Sequence, residues 1–596
     1  MDPARPVALA HQRLAILDLS PAGHQPMLSM SGRYVLSFNG EIYNAPELRN
    51  GLVQQGVVFS GHSDTEILLA GIDRWGVDAA VRRSEGMFAF AVWDRQERQL
   101  WLARDRVGVK PLYYARLSDG GVAFASEVRA FQCIPTWSAT VDPDALHLFL
   151  RHGYVPGPHS IFRSTWKLQP GHTLCVGVEN AQTQTEPTAY WCARSVIESA
   201  ADAPRRNIED VEADLHARLR VAAARQSVAD VPLGCFLSGG VDSSLIAAIL
   251  QSQTTRSLRT FSIGFDSPDL DEAPYARAIA KHLRTDHTEF YVGERDLRDV
   301  VQLLPSLCDE PFADSSLIPT YLLCRLARQS VTVALSGDGG DELYFGYDRY
   351  VHASRLWRLR NRCPDVLRLL LRHTGNSIAQ GHRPTAATLL PWLRGMLRPD
   401  TPQEFYRHVI SPNRDPAAFL LKGREPHYFL TEPSVLPPQA ADLDDYMPYA
   451  DLMTYLPDDI LAKVDRASMA VSLETRVPLL DERILEHALT TPTACKTMGG
   501  VRKYLLKRIL SRYVPYELFA RPKRGFSVPL AEWLRGPLKS WCSDLLDGEA
   551  LRREGVFRSK AVCEAWRQHL SGSRDNAALL WPVLVFETWR RRAIRE

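Results

Sequence analysis

The chain is 596 residues long, with 71 Lys and Arg against 69 Asp and Glu and a formal net charge of +2. That length exceeds what one core serves and calls for two or three domains, while the near-neutral balance excludes the clustered basic face of a nucleic-acid binder. Hydrophobic residues make up 45% and charged residues 23%, as in an ordinary soluble globular protein, and no apolar stretch reaches membrane-spanning length.

The opening segment, MDPARPVALAHQRL, has no apolar core of the signal-peptide kind. Ten cysteines are scattered without a C-x-x-C pair or a His/Cys cluster. Neither a zinc site nor a disulfide framework is expected, and a cytoplasmic location is the default. The one dense basic run, Arg590 to Arg592, reads at least as well as a solvated helix end as it does as a partner site.

From Val7 to Val178 the pattern is of short strands and turns with a few helices. RYVLSFNGEIYN and GMFAFAVWDRQERQLWLARD alternate or run apolar in strand fashion. ELRNGLVQQG and DTEILLAGIDRWG have helical spacing and end in glycine. Residues 1–178 thus form a first expected domain, and the polar, proline-dotted stretch 179–207 an expected linker. In the second domain, 208–596, strands and helices alternate: VPLGCFL, VDSSLIAAILQ, RTFSIGF, APYARAIAKHL, HTEFYV, IPTYLLCRLAR and VTVALSG. Such alternation implies right-handed crossovers and a mainly parallel sheet. Beyond Asp341 the chain reads as mostly helical, with a Pro- and Arg-rich region between Arg360 and Pro438.

The strongest local signal is FLSGGVDSS, Phe236 to Ser244, between a strand and a helix. Ser238, Gly239 and Gly240 can turn their N–H groups inward as an anion nest, and the helix adds its positive end. Ser243 and Ser244 add hydroxyls. No Gly-Lys dipeptide occurs in the chain, so this is a phosphate cradle without the Walker lysine. Asp242 beside it suits a Mg²⁺ ion that neutralises pyrophosphate. An isolated S-G-G would read as a simple turn with a capping aspartate. Here LSGDGGDE, Leu335 to Glu342, repeats the strand, glycine turn and acid. At the carboxyl edge of an α/β sheet both loops would meet a ligand.

SGGVDSS is similar to the signature loop of the ATP pyrophosphatases, which cleave ATP to AMP and pyrophosphate. LSGDGGDE, LPDDILAKVDRASMAVSLETRVPLLD and RPKRGFSVPLAEWL resemble the glutamine-dependent asparagine synthetases. HQRLAILDLSPAGHQPM, FNGEIYN, SDTE, GMFAFAVWD and ARDRVGVKPLYY resemble their glutaminase domain. The resemblance implies an N-terminal-nucleophile α+β sandwich of two antiparallel sheets between helices, lacking its first strand. A parallel-sheet α/β ATP-pyrophosphatase domain with a helical C-terminal half follows it. It also implies ATP-dependent conversion of aspartate to asparagine through an acyl-adenylate, with another carboxylate acceptor or a non-catalytic nucleotide binder as the alternatives. Carried over by residue, Asp242 and Asp341 would be the Mg²⁺-pyrophosphate ligands. Leu237, Ile263 and Gly337 would frame the adenosine, with Ser336 beside them. Asp338 would lie near the acyl-adenylate, a role no better supported than that of a turn-capping aspartate. Lys503 would stabilise charge on the α-phosphate.

In the first half, Arg13 matches the arginine that binds the glutamine carboxylate. Asn39 and Gly40 match the oxyanion hole, and Glu41 and Asp64 match residues that orient glutamine. The family nucleophile is an N-terminal cysteine whose own α-amine is the base. Here position 2 is Asp2 and no cysteine precedes Cys133. Either the start lies further upstream or glutamine hydrolysis is lost; the retained pocket motifs favour the first. The expected partners are small molecules, namely aspartate, ATP and glutamine or ammonia, with no nucleic acid and no membrane; a homodimer is left open.

Overall fold

The computed structural model describes residues 7–177, 186–200, 204, 206–265, 271–362, 399–432, 442–520 and 528–593. The first half holds two antiparallel sheets. One has six strands, β1 (Met27–Leu28), β2 (Tyr34–Ile42), β3 (Gly86–Asp94), β4 (Gln99–Arg104), β8 (His172–Gly177) and β9 (Thr188–Ala189), in that spatial order. The other has three, ordered β6 (Val122–Ala125), β5 (Tyr113–Arg116), β7 (Thr165–Lys167).

Strand alternation explains the layering. Along β3, Phe88, Phe90 and Val92 point to a core roofed by the helices Ala45–Gln54 and Asp64–Trp75. Ala89, Ala91 and Trp93 point the other way, into a core shared with Leu112, Tyr114 and Leu168 at the three-stranded sheet. This is the period-2 rule applied to a sheet buried on both faces. The far side of β5, Tyr113 and Ala115, packs into the core of the second half. Ser63 caps the helix Asp64–Trp75 by accepting the Glu66 N–H at 3.2 Å.

The second half is built on a five-stranded parallel sheet ordered β12 (Asp286–Val292), β11 (Arg259–Phe265), β10 (Leu233–Phe236), β13 (Val333–Leu335), β14 (Glu474–Arg476). Its two faces bury different cores: Phe236, Phe261, Ile263 and Ala334 on one, Cys235, Leu237 and Leu335 on the other. The alternating strands and helices of the sequence are all found here, with the parallel order they implied. The strand β14 is an addition inside the region expected to be helical. Its three residues, Glu-Thr-Arg, carry no apolar signature; pairing with β13 alone makes them a strand.

Two further differences concern chain organisation. The stretch 179–207 contains β9, which pairs with β8, and the helix Ala193–Ser199, so its described part is built into the fold rather than strung between domains. Of the Arg360–Pro438 region, residues 360–362 and 399–432 are described. The latter contribute the helix Pro402–Ile410, whose Phe405 and Tyr406 pack with Tyr350 and Tyr446. The remainder, and the RPKRGFS segment at 521–527, lie outside the described residues. Arg590 and Arg591 sit on the last turns of the helix Ala577–Ala593 and pair with Glu554. Among the described residues no helix is long and apolar enough to cross a membrane.

His487 joins two helices of the second half, its Nε2 3.1 Å from the Val211 carbonyl oxygen and its Nδ1 3.2 Å from the Tyr344 hydroxyl. Burial lowers its pKa to about 4, against the opposing pull of that carbonyl. A depressed histidine contributes stability above its unfolded value of 6.5 that is lost as pH falls through the folded one. The expected loss on acidification is on the order of 3 kcal/mol. Urea midpoints taken from neutral pH down to the folded value, in wild type and His487→Asn, will check this: the variant should show the shallower pH dependence.

Candidate active site

The two glycine loops leave the carboxyl ends of neighbouring parallel strands, β10 and β13, and they touch. A Cβ on Gly337 would fall 2.5 Å from the Ser243 nitrogen, and one on Gly340 would fall 2.5 Å from Asp242 Cγ. Only glycine admits that approach. In the first loop Ser238 Oγ and Ser243 Oγ lie 3.0 Å apart, and the Gly240 N–H donates to Ser238 Oγ at 3.3 Å. The helix Val241–Ser252 begins immediately after.

Lys503 closes the site from far along the chain. Its ammonium pairs with Asp242, and with Asp341 Oδ1 at 2.5 Å. The residue sits in the left-handed region, φ 51°, directly before the helix Tyr504–Leu510. Burial works against its charge, but Asp242 and Asp341 outweigh it and raise its pKa above the ordinary lysine value. A fixed ammonium between two carboxylates, beside an anion nest, is a charge arrangement that suits a diphosphate with its counter-ion.

The other expected nucleotide residues divide. Leu237 and Ile263 are buried, their side chains packed on opposite faces of the sheet, so what they can offer a ligand is main chain. Ser244 is fully buried, and its N–H bonds the Gly240 carbonyl at 3.1 Å in the first turn of the helix. Ser336 donates its hydroxyl to Asp338 Oδ2 at 2.5 Å, so the Asp338 carboxylate is oriented by its own turn. The adjacent Glu342 is pushed up to about 7 by burial and by Asp341, against the Tyr347 hydroxyl that donates to it at 2.5 Å.

Of the residues expected to hold glutamine, Asn39, Gly40, Glu41 and Asp64 lie at one end of the six-stranded sheet. Asn39, Gly40 and Glu41 lie on β2, where Asn39 Nδ2 is 3.4 Å from Ser126 Oγ. Asp64 opens its helix and accepts the Ile42 N–H and the Thr65 N–H, each at 2.8 Å. Burial raises it to about 6 in spite of those two donors. Arg13 donates to the carbonyls of Leu17 and Asp18 at 2.7 and 2.9 Å. Asp18 in turn accepts the His62 N–H at 2.9 Å, which ties the arginine loop to the Asp64 helix.

Sequence reasoning missed the charged residues that line the boundary between the halves. Lys463 bonds Asp314 and Ser316, each at 2.8 Å. Burial drives Asp314 upward, but Lys463 overcomes it and holds the acid at about 2. Arg466 lies 3.2 Å from Asp309, and Arg476 lies 3.0 Å from Glu41. All three cations fall inside the KVDRASMAVSLETRV stretch, but nothing local separates a buried cation from a solvated one. Paired runs of charge within an otherwise apolar segment were the available hint.

Gly340→Ala should displace the Asp242 carboxylate, and Gly337→Ala should push on the backbone at the helix start. We expect both to suppress ATP–pyrophosphate exchange at least tenfold, with stability losses of about 1–3 kcal/mol. Exchange assays beside circular dichroism will separate the local effect from unfolding.

Residues 214–591 match the family model described as Asparagine synthase, and residues 3–191 match that described as Glutamine amidotransferase domain. Asparagine synthetase [glutamine-hydrolyzing] 1 of Bacillus subtilis is 31% identical over 594 residues, covering 98% of this chain and 89% of that protein. Asparagine synthetase [glutamine-hydrolyzing] 3 of the same organism is 28% identical over 568 residues, covering 89% of this chain and 82% of that protein. With two touching glycine loops, a shared lysine and this extent of similarity, the chain belongs to the asparagine synthase family of ATP-dependent amide-forming ligases.

Proposed function

We propose that the aspartate side-chain carboxylate attacks the α-phosphorus of ATP, and that pyrophosphate leaves toward the nest at Ser238, Gly239, Gly240 and Ser243. The resulting β-aspartyl adenylate is attacked by ammonia at its carbonyl carbon. AMP then departs, one proton is lost, and asparagine remains. The observation that carries this reading is the Lys503 ammonium held between Asp242 and Asp341 at the meeting point of two glycine loops. An ammonium held there gains most as negative charge builds on the phosphoryl oxygens, because it is buried and already in position. In this reading Asp338, oriented by Ser336, accepts a hydrogen bond from the incoming ammonia.

The two carboxylates also fit a magnesium ion carried in with the nucleotide. Magnesium is commonly held by one or two carboxylates together with phosphate oxygens and water. Among the described residues no group of three or more His, Cys, Asp or Glu could hold a metal unaided. When bound, Mg²⁺ would neutralise pyrophosphate. On the other side of the interface, Arg13, Asn39, Gly40, Glu41 and Asp64 form the pocket proposed for glutamine. A cytoplasmic setting suits the substrates.

Lys503→Ala should lower kcat by about a hundredfold or more with a smaller rise in KM for ATP, since the contact strengthens in the transition state. Lys503→Arg should restore only part of that, a planar fork being a poor substitute for a point charge. Steady-state pyrophosphate release will show the split; a pure KM effect would make Lys503 an ordinary binding residue.

The nitrogen donor has its own test. A polypeptide with the present sequence, which has Asp2 and no cysteine before Cys133, should form asparagine from ammonium salts and release no glutamate from glutamine. An N-terminal extension beginning Met-Cys should add glutamate release, and its Cys→Ala variant should remove it again. Comparable glutamate release by the unextended chain would refute the assignment of the nucleophile.

A further inference from the structure

Arg476 touches both candidate sites at once. It is 1% exposed and lies on β14, at the edge of the parallel sheet. Its guanidinium reaches Glu41 Oε1 at 3.0 Å and Glu474 Oε1 at 2.7 Å, and donates to the carbonyls of Gln226 and Val228 at 3.0 and 2.6 Å. Its own carbonyl accepts the Ser336 N–H at 2.8 Å. Ser336 opens the second glycine loop, and Glu41 is one of the residues proposed to hold glutamine. One residue therefore fixes the start of the nucleotide loop with its main chain and a wall of the glutamine pocket with its side chain.

A second contact runs in parallel. Asn39, two positions before Glu41 on the same strand, reaches Ser126 Oγ, and the Ser126 carbonyl accepts a bond from Arg466 at 2.8 Å. Arg466 belongs to the helix Leu461–Met469, which is tied to β14 through the 3.4 Å approach of Ser468 and Thr475 hydroxyls. The pocket face of β2 is thus held from the synthetase half at two neighbouring positions.

We propose that Arg476 is a positioning residue that couples glutamine binding to occupancy of the nucleotide loop, acting through Glu41 and Ser336. This rests on the reading of Glu41 as part of the glutamine pocket. The fixed planar fork matters, because it serves two carboxylates and two carbonyls together, which a single ammonium cannot do. Filling the nucleotide loop biases the position of β14, and the bias arrives at Glu41 with no flexible segment between. By reciprocity glutamine must bias nucleotide binding by the same factor.

The test is the dissociation constant for glutamine, measured calorimetrically on the full chain with and without a non-hydrolysable ATP analogue and aspartate. Coupling of this kind is expected to change glutamine affinity about fivefold or more in the wild type. Deleting the guanidinium alone would leave buried carboxylates unpaired and endanger the fold. The variants are therefore Arg476→Lys and the pair R476Q/E474Q, which keeps the net charge and leaves Glu41 alone without its partner, with ammonium-dependent pyrophosphate release confirming a working synthetase half. The proposal expects the coupling factor to shrink in Arg476→Lys and to approach one in R476Q/E474Q. An unchanged coupling factor in both active variants overturns it, as does a wild type whose glutamine affinity ignores the nucleotide. Absence of glutamine binding to the wild type in any state would instead overturn the reading of the pocket itself, and this inference with it.

Discussion

The close approach of two glycine loops at adjacent strand ends is the constraint on which the second half of the molecule turns. Because Gly337 and Gly340 lack side chains, the backbone of one loop lies against Ser243 and Asp242 of the other. That contact sets Asp242 and Asp341 on either side of one ammonium. Three charges gathered in a largely buried place carry a desolvation cost of several kcal/mol per ion, which mutual attraction offsets only with good geometry. As a stabilising device the arrangement is a poor bargain. Under the proposed function it has a reason to exist, as a pre-formed receptor for a phosphate chain and its cation.

The same logic runs along the boundary between the halves. Lys110 lies 3.6 Å from Asp465, Lys167 lies 3.2 Å from Glu310, and Arg106 lies 2.9 Å from Glu482. Each is an ion pair joining the first half to the second, and all three cations are buried. A hydrophobic seam would hold two domains as firmly. Charged pairs instead specify register, since a slip of a few ångströms would leave buried carboxylates unpaired. Here register matters, because Glu41 and Asn39 on one side must meet Arg476 and the Ser126–Arg466 contact on the other.

Much of the layout was legible from local pattern. The apolar run GMFAFAVWD announced a strand, and the structure divides its residues between two cores. Alternating strands and helices after residue 230 announced a parallel sheet. Glycine loops ending apolar strands announced the nest. By contrast β14 was invisible, because Glu-Thr-Arg becomes a strand only through its pairing with β13. Ser243 and Ser244 read alike as hydroxyl donors in the sequence, yet one step of 100° along the helix leaves Ser243 half-buried and Ser244 fully buried.

The sequence alone determined the family, the two-part layout and the residue types at the nucleotide loops, because each rests on local periodicity or on motifs a few residues long. It could not determine which distant charges would meet. Lys503 stands 261 residues from Asp242, and by itself it reads as one lysine among several on a helix. Arg476 reads as an ordinary basic residue beside a glutamate, yet it is buried against Glu41 of the other half. Pairings of that kind depend on where whole sheets and helices come to rest, and only the tertiary structure fixes the low-dielectric surroundings that give a buried charge its strength.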